Sequence, residues 1–160
     1  MKTLLTVLTG LTLLAAPVAA QIIWNEADYG DAGDLPATAQ LTNCPAGTTL
    51  DQIHGTSTLG TDVDMYLIHI PTPALFSATT CLGTTMDSKL ILFRINATGV
   101  TYNDDDPSGC GLQSTITGTY LTTANQYFLA VCRYPTMPNS AGGAMWLGLP
   151  LLTERQPDGP

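Results

Sequence analysis

Gln126-Tyr127-Phe128-Leu129-Ala130-Val131-Cys132-Arg133 is the stretch that decides how this chain folds. Its large residues Tyr127, Leu129 and Val131 recur with a period of two, so they share one face of an extended strand. Tyr66, Ile68 and Ile70 repeat the pattern earlier in the chain. Working outward, Gly and Pro break the sequence into short apolar or Thr-rich runs, which predict strands over residues 22–25, 52–56, 64–70, 74–81, 89–95, 100–103, 114–117, 126–133 and 143–149. Beyond residue 20 there are two Glu (Glu26, Glu154) and one Lys (Lys89) against twenty-one Thr. Helix surfaces are built from Glu, Lys, Gln and Arg, whereas Thr, Val, Ile and Tyr favour strands. With no helical pattern between the runs, parallel βαβ units are excluded. The expected fold is all-β, an antiparallel two-sheet β-sandwich.

The 160 residues suffice for one domain. A hydrophobic fraction of 44% with 11% charged residues excludes a disordered polyelectrolyte. The net charge of −8, with no cluster of Lys or Arg, excludes a phosphate-tracking nucleic-acid partner. Residues 1–20 read as a signal peptide: Lys2 supplies the positive start, residues 4–16 the apolar stretch, and Val18-Ala19-Ala20 the small residues before cleavage at Ala20-Gln21. That run is too short for a membrane span, and no other run approaches one. The expected product is secreted, extracellular or at the cell surface, with the periplasm as a further destination. Its domain covers residues 21–152, and the polar residues 153–160 (TERQPDGP) form a disordered tail.

Cys44, Cys81, Cys110 and Cys132 are an even set in an exported chain, which predicts a disulfide-stabilised domain. None of them forms the close C-x-x-C pair of a structural zinc site. Four cysteines allow three pairings, and spacing does not choose among them.

Glu26 followed by Gly30-Asp31-Ala32-Gly33-Asp34-Leu35-Pro36-Ala37-Thr38-Ala39-Gln40 resembles the opening of bacterial pre-peptidase C-terminal domains. Ile53-His54-Gly55 is similar to that family's I-x-G strand, and Asp62-Val63-Asp64-Met65-Tyr66 to its D-x-D-x-Y strand. Phe76-Ser77-Ala78-Thr79 resembles the strand after it. Asp87-Ser88-Lys89-Leu90-Ile91-Leu92-Phe93 resembles D-x-x-L-x-L-F, and Asn103-Asp104-Asp105 the N-D-D turn. Asn125-Gln126-Tyr127-Phe128-Leu129-Ala130-Val131 resembles G-x-Y-x-L-x-V, with Asn125 in place of Gly. The resemblance spans residues 26–131. It implies a jelly-roll-like sandwich, similar to the collagen-binding domains of clostridial collagenases, acting as a non-catalytic accessory. It also implies the pairing Cys81–Cys110, which leaves Cys44–Cys132.

Nine of the thirteen acids fall in three short segments: Glu26/Asp28/Asp31/Asp34, Asp62/Asp64 and Asp104/Asp105/Asp106. Calcium takes six to eight oxygen ligands, and loop carboxylates supply them. The resemblance places Glu26, Asp28 and Asp31 like the N-terminal ligands of calcium-binding relatives, and Asp62 and Asp64 like the sheet-edge pair completing the site. On an extended backbone, Asp62 and Asp64 point the same way. The competing reading is that Asp, Asn and Gly simply make turns. Asp104-Asp105-Asp106-Pro107-Ser108-Gly109 looks like half an EF-hand loop, but Thr115 stands where that loop needs a bidentate Glu. Three adjacent aspartates nevertheless repel, and a cation, Lys or Arg would relieve them. Asn103, Asp104 and Asp105 are therefore a second, weak ion-site candidate.

No G-x-S-x-G, H-E-x-x-H or phosphate-binding Gly loop is present, and His54 and His69 are the only histidines. The chain is not expected to be an enzyme. Trp24, Trp146, Tyr102, Tyr120 and Tyr134 are candidates for a sugar-stacking platform, although core packing is the usual role of such residues. The resulting expectation is an exported binding or stabilising module with structural calcium, whose partner is an extracellular polymer or surface protein. The rival readings are a secreted hydrolase and a fragment of a larger cell-surface protein.

Overall fold

The structure, a computed structural model, describes residues 20–45, 48–57, 60–106, 108, 110–147 and 153–159. Apart from Ala20, the signal-peptide reading lies outside the described residues, as does the 148–149 end of the last expected strand. The chain is all-β. Among the described residues, eleven strands run in the order β1 (Ala20–Asn25), β2 (Gln40–Leu41), β3 (Thr48–His54), β4 (Val63–Ile70), β5 (Ser77–Thr79), β6 (Ser88–Arg94), β7 (Gly99–Asn103), β8 (Thr115–Thr117), β9 (Asn125–Arg133), β10 (Asn139–Ser140) and β11 (Gly143–Ala144). The only helical elements among the described residues are single 3₁₀ turns at Glu26–Asp28, Pro73–Leu75 and Gly118–Tyr120.

β9 is the middle strand of a five-stranded sheet ordered β2-β4-β9-β6-β7. It pairs antiparallel with β4 from Val63↔Cys132 to Ile70↔Asn125, and with β6 from Ser88↔Arg133 to Arg94↔Tyr127. The period-two pattern explains both faces. Tyr66, Ile68, Ile70, Leu90, Leu92, Tyr127 and Leu129 enter one core. Met65, Ile91, Phe93, Phe128, Ala130 and Cys132 enter the other. The first core is closed by the two-stranded ribbons β1–β3 and β5–β8, giving a sandwich-like layer through Trp24, Leu50, Ile53 and Ala78. The second is closed by Trp146, Met137, Met145 and Ala39. Because both faces are covered, β6 is buried without interruption from Ser88 to Phe93, as a two-sided central strand requires.

The sheet is mixed where an antiparallel one was expected: β1 pairs parallel with β3, and β2 parallel with β4. Parallel neighbours need a crossover of a dozen residues or more. The segment between β1 and β3 is long enough to leave the ribbon, add β2 to the central sheet and return. The expected strand over 74–81 shortens to β5, since Pro73 opens a 3₁₀ turn instead. The expected strand over 143–149 shortens to β11, hairpinned with β10, and Trp146 then covers the second core.

The tail expected to be disordered is packed against the edge of the sandwich. Arg155 and Tyr102 exchange both backbone hydrogen bonds at 3.0 Å, which continues the sheet beyond β7. The Glu154 carboxylate accepts from the Thr117 amide at 3.0 Å and its hydroxyl at 2.7 Å. Its polar composition thus serves an open sheet edge, whose amides need acceptors.

The Cys81–Cys110 disulfide forms, closing a separation of 29 residues. Loop-closure entropy makes such a bridge worth about 3.5 kcal/mol. The expected Cys44–Cys132 bridge does not form, and both residues are free thiols. β2 and β9 lie on opposite sides of β4. Thr42 bonds to Leu67, whereas Cys132 faces Val63 four residues back. Strand spacing and rise separate those positions by roughly 16 Å. Two further residues to Cys44 cannot bring that within the roughly 7 Å limit for a disulfide.

Candidate metal centre

The acidic loop leaves β1 directly into the Glu26–Asp28 turn and is folded back by side chains on either flank. The Trp24 and Tyr29 rings stack with centroids 4.0 Å apart. Trp24 Nε1 donates to Gln40 Oε1 at 2.7 Å, and Gln40 Nε2 donates to the Gly30 carbonyl. Gly30 has φ of +89°, a backbone conformation that glycine adopts without a Cβ penalty. These contacts turn the chain so that Asp31 returns toward Glu26.

Glu26 is buried and is held by three donors. Its Oε1 accepts from the Ala32 amide and the Tyr66 hydroxyl, both at 3.0 Å, and its Oε2 accepts from the Thr56 amide at 2.9 Å. The loop, β4 and the segment after β3 therefore meet on one carboxylate. Gly55 is the only residue type that fits beside it, because a Cβ there would stand 2.7 Å from the Tyr66 hydroxyl and 2.9 Å from Glu26 Oε2.

Carboxylate oxygens of Glu26, Asp31 and Asp64 lie within 4.8 Å of one another. Glu26 and Asp64 are buried and Asp31 is exposed, so the group is reachable from one side. A surface cleft of about 390 Å³, lined by Glu26, Asp31, His54 and Thr56 among others, opens over it. Asp64 is 4% exposed, and its Oδ1 accepts no hydrogen bond. Burial first, then the charges of Glu26, Asp62 and Asp31, push its carboxyl up to about 8. Burial and the same acidic surroundings also push the Tyr66 phenol up.

Of the five expected ligands, three converge. Asp62 is half-buried and near enough for its charge to act on Asp64, but it does not join the close group. Asp28 is exposed and does not join it either. Tyr66 was read from sequence as a strand residue and not as a donor, and the amides of Thr56 and Ala32 were not read as donors at all. The signal that could have found them is Gly55 at the end of the β3 run, a place where a glycine often marks a close approach.

The second candidate, Asn103, Asp104 and Asp105, is rearranged. Asn103 is spent on the backbone, donating to the Asp105 carbonyl at 3.0 Å and accepting from the Thr115 amide at 2.9 Å. Asp87 takes its place, with carboxylate oxygens of Asp87, Asp104 and Asp105 within 4.8 Å of one another. Lys89 Nζ lies 3.5 Å from Asp104 Oδ2, both side chains being buried, and 4.8 Å from the centre of the Tyr134 ring. A third group, Cys81, Asp106 and Cys110, contains the disulfide, so its sulfurs are not ligands.

The aromatic residues do not form one platform. Trp146 and Tyr102 are buried edge-to-face at 5.0 Å, and the Tyr120 hydroxyl donates to the Glu154 carbonyl at 3.4 Å. His54 shares a 2.9 Å hydrogen bond with Gln52, and His69 is exposed on β4. No helix among the described residues is long and apolar enough to cross a membrane. Comparisons with protein-family models, curated proteins and solved structures match nothing to this chain.

Proposed function

We propose that the chain is an exported, non-catalytic β-sandwich module of the pre-peptidase C-terminal type, stabilised by a calcium ion at Glu26, Asp31 and Asp64. The observation that carries the calcium reading is that Asp64, whose buried Oδ1 accepts no hydrogen bond, brings a carboxylate oxygen within 4.8 Å of those of Glu26 and Asp31. A buried carboxylate without a donor is costly, and a cation removes that cost. The donor set fits: all oxygen, three carboxylates from the loop and β4, and an open side where water completes six to eight ligands. Glu26 and Asp31 are loop residues and Asp64 belongs to the central sheet. An ion there ties the crossover segment to the sandwich, a stabilising role. The module's partner on this reading is an extracellular polymer or surface protein. Support for the family comes from the order of the quoted motifs, and for export from residues 1–20.

The test is the thermal midpoint of the oxidised chain from Gln21 onward, in millimolar calcium and then in excess chelator. Calcium at 100-fold its dissociation constant adds about 2.7 kcal/mol, a shift of several degrees at this size. The expected result is that shift in the wild type and its loss in Asp31→Asn. An unchanged midpoint in the wild type refutes the calcium reading.

A further inference from the structure

We infer that Asp87, Asp104 and Asp105 form a second site for a hard divalent cation, distinct from the one at Glu26. Two independent observations meet there. Three carboxylates from the start of β6 and the end of β7 bring ligand oxygens within 4.8 Å. Asp104 is 2% exposed, and while its Oδ2 faces Lys89, its Oδ1 accepts no hydrogen bond. Lys89 offsets one of the three charges, and a net charge of about −2 is left for a divalent ion. Asp87 and Asp105 are half-buried, so an ion has access from outside while Asp104 closes the site from within.

The site is held rigid by its backbone. The Ser114 hydroxyl lies within hydrogen-bond reach of the Asp104 carbonyl at 2.6 Å and of the Ser88 carbonyl. The Asp106 amide bonds to Gln113 at 2.7 Å, and the Cys81–Cys110 disulfide fixes the loop that follows. Such preorganisation lowers the ordering cost of binding. Burial and the neighbouring acids raise the carboxyls of Asp104 and Asp105 above the ordinary range, although Lys89 opposes this for both. All-oxygen ligands select calcium or magnesium over zinc or copper.

The experiment is isothermal titration of the oxidised chain with calcium chloride and, separately, magnesium chloride, on the wild type, Asp105→Asn, Asp87→Asn and Asp31→Asn. The wild type is expected to take two equivalents of calcium. Asp105→Asn and Asp87→Asn each remove one equivalent, and Asp31→Asn removes the other. One equivalent, lost in Asp105→Asn but kept in Asp31→Asn, supports this site and overturns the one at Glu26. One equivalent, lost only in Asp31→Asn, overturns this site and leaves the other standing. No binding by the wild type overturns both. All three Asn variants relieve like-charge repulsion and should keep the fold; each is checked by its thermal midpoint in chelator, which is expected at or above that of the wild type.

Discussion

In calcium-free buffer, Asp64 makes the stability of this domain fall as pH rises. Its carboxyl titrates near 3.8 when the chain is unfolded and is pushed up to about 8 in the folded state, chiefly by burial and then by Glu26, Asp62 and Asp31. Between those values the folded state keeps a proton that the unfolded state has released. The contribution of Asp64 is therefore fully present below pH 3.8 and is lost as pH rises through about 8. At about 1.4 kcal/mol per unit over about four units, the loss is on the order of 5 kcal/mol. A domain stable by only about 5–15 kcal/mol will register that change. The perturbation is Asp64→Asn, whose amide has no titration and can donate to Glu26. The assay is the urea midpoint at intervals from pH 4.5 to 8.5, with the slope of unfolding monitored to confirm that the transition is unchanged. The wild-type midpoint should fall steadily across this window, while that of Asp64→Asn falls less steeply, Asp104 and Asp105 still titrating in it, and is the higher of the two at pH 8. Calcium should flatten the wild-type curve from its alkaline side, because an ion favours the ionised carboxylate. If Asp64→Asn falls in parallel with the wild type, the placement of Asp64 in a dry acidic cluster is wrong.

Two further outcomes follow from the free thiols and from the buried ion pair. Burial raises the Cys44 thiol and pushes the Cys132 thiol up to about 12, with Cys132 fully enclosed. Thiol-reagent titration of the oxidised native protein should therefore find slow labelling of Cys44 alone, and two reactive thiols after denaturation; no reactive thiol in denaturant would mean that the two form a bridge after all. Lys89→Met leaves Asp104 buried without its counter-charge and should cost about 3–5 kcal/mol in urea denaturation. Adding Asp104→Asn should recover most of that loss, and a double variant no more stable than the single one would show that Lys89 acts through packing on Tyr134 instead.

The parts of the fold legible in the sequence are those with long, two-sided burial. β4 and β9 run over eight and nine residues, and their existence followed from Tyr66, Ile68, Ile70 and Tyr127, Leu129, Val131; β6 is a continuous apolar run between turn residues, legible as a buried strand. β2 and β10 have two residues each and no period to read. The parallel pairings depend on where a crossover lands, which is a tertiary matter. The acids were legible as a chemical class, because so few other charges surround them. Their partners were not: Asp87 meets Asp104 only because β6 and β7 pair at Leu90↔Asn103. The role of Lys89 was hidden for the same reason, its neighbour Cys132 lying across the sheet. In the tail, composition misled. Thr153, Glu154, Arg155 and Asp158 read as solvated, yet Glu154 and Arg155 supply what the open edge at Thr117 and Tyr102 requires.

The strand register also explains why two acidic clusters form in one small domain. Asp64 faces Val131, Cys132 faces Lys89, and Leu90 faces Asn103, so β4, β6 and β7 bring Asp64, Asp87 and Asp104 to the same end of the sheet, beside the end of β9. Asp64 shares its face with Tyr66 and Ile68, and Lys89 shares the opposite face with Ile91 and Phe93. The two clusters therefore flank the end of β9 from opposite sides, and the Cys132 thiol between them feels Lys89, Asp104 and Asp64 together. Lys89 is the one cation buried at this end, in a chain with five Lys and Arg against thirteen acids. Its ammonium meets Asp104 and does not cross the sheet to Asp64. Neutralising the Asp104 cluster with protein groups was thus partly achieved, and neutralising the Asp64 cluster was not. The orphaned oxygens on Asp104 and Asp64 are what this unequal arrangement leaves. On the two-site proposal, an ion at either cluster would lower the negative potential at the other, so a second ion should bind more weakly than the first and Asp64 should ionise at a lower pH once one is in place.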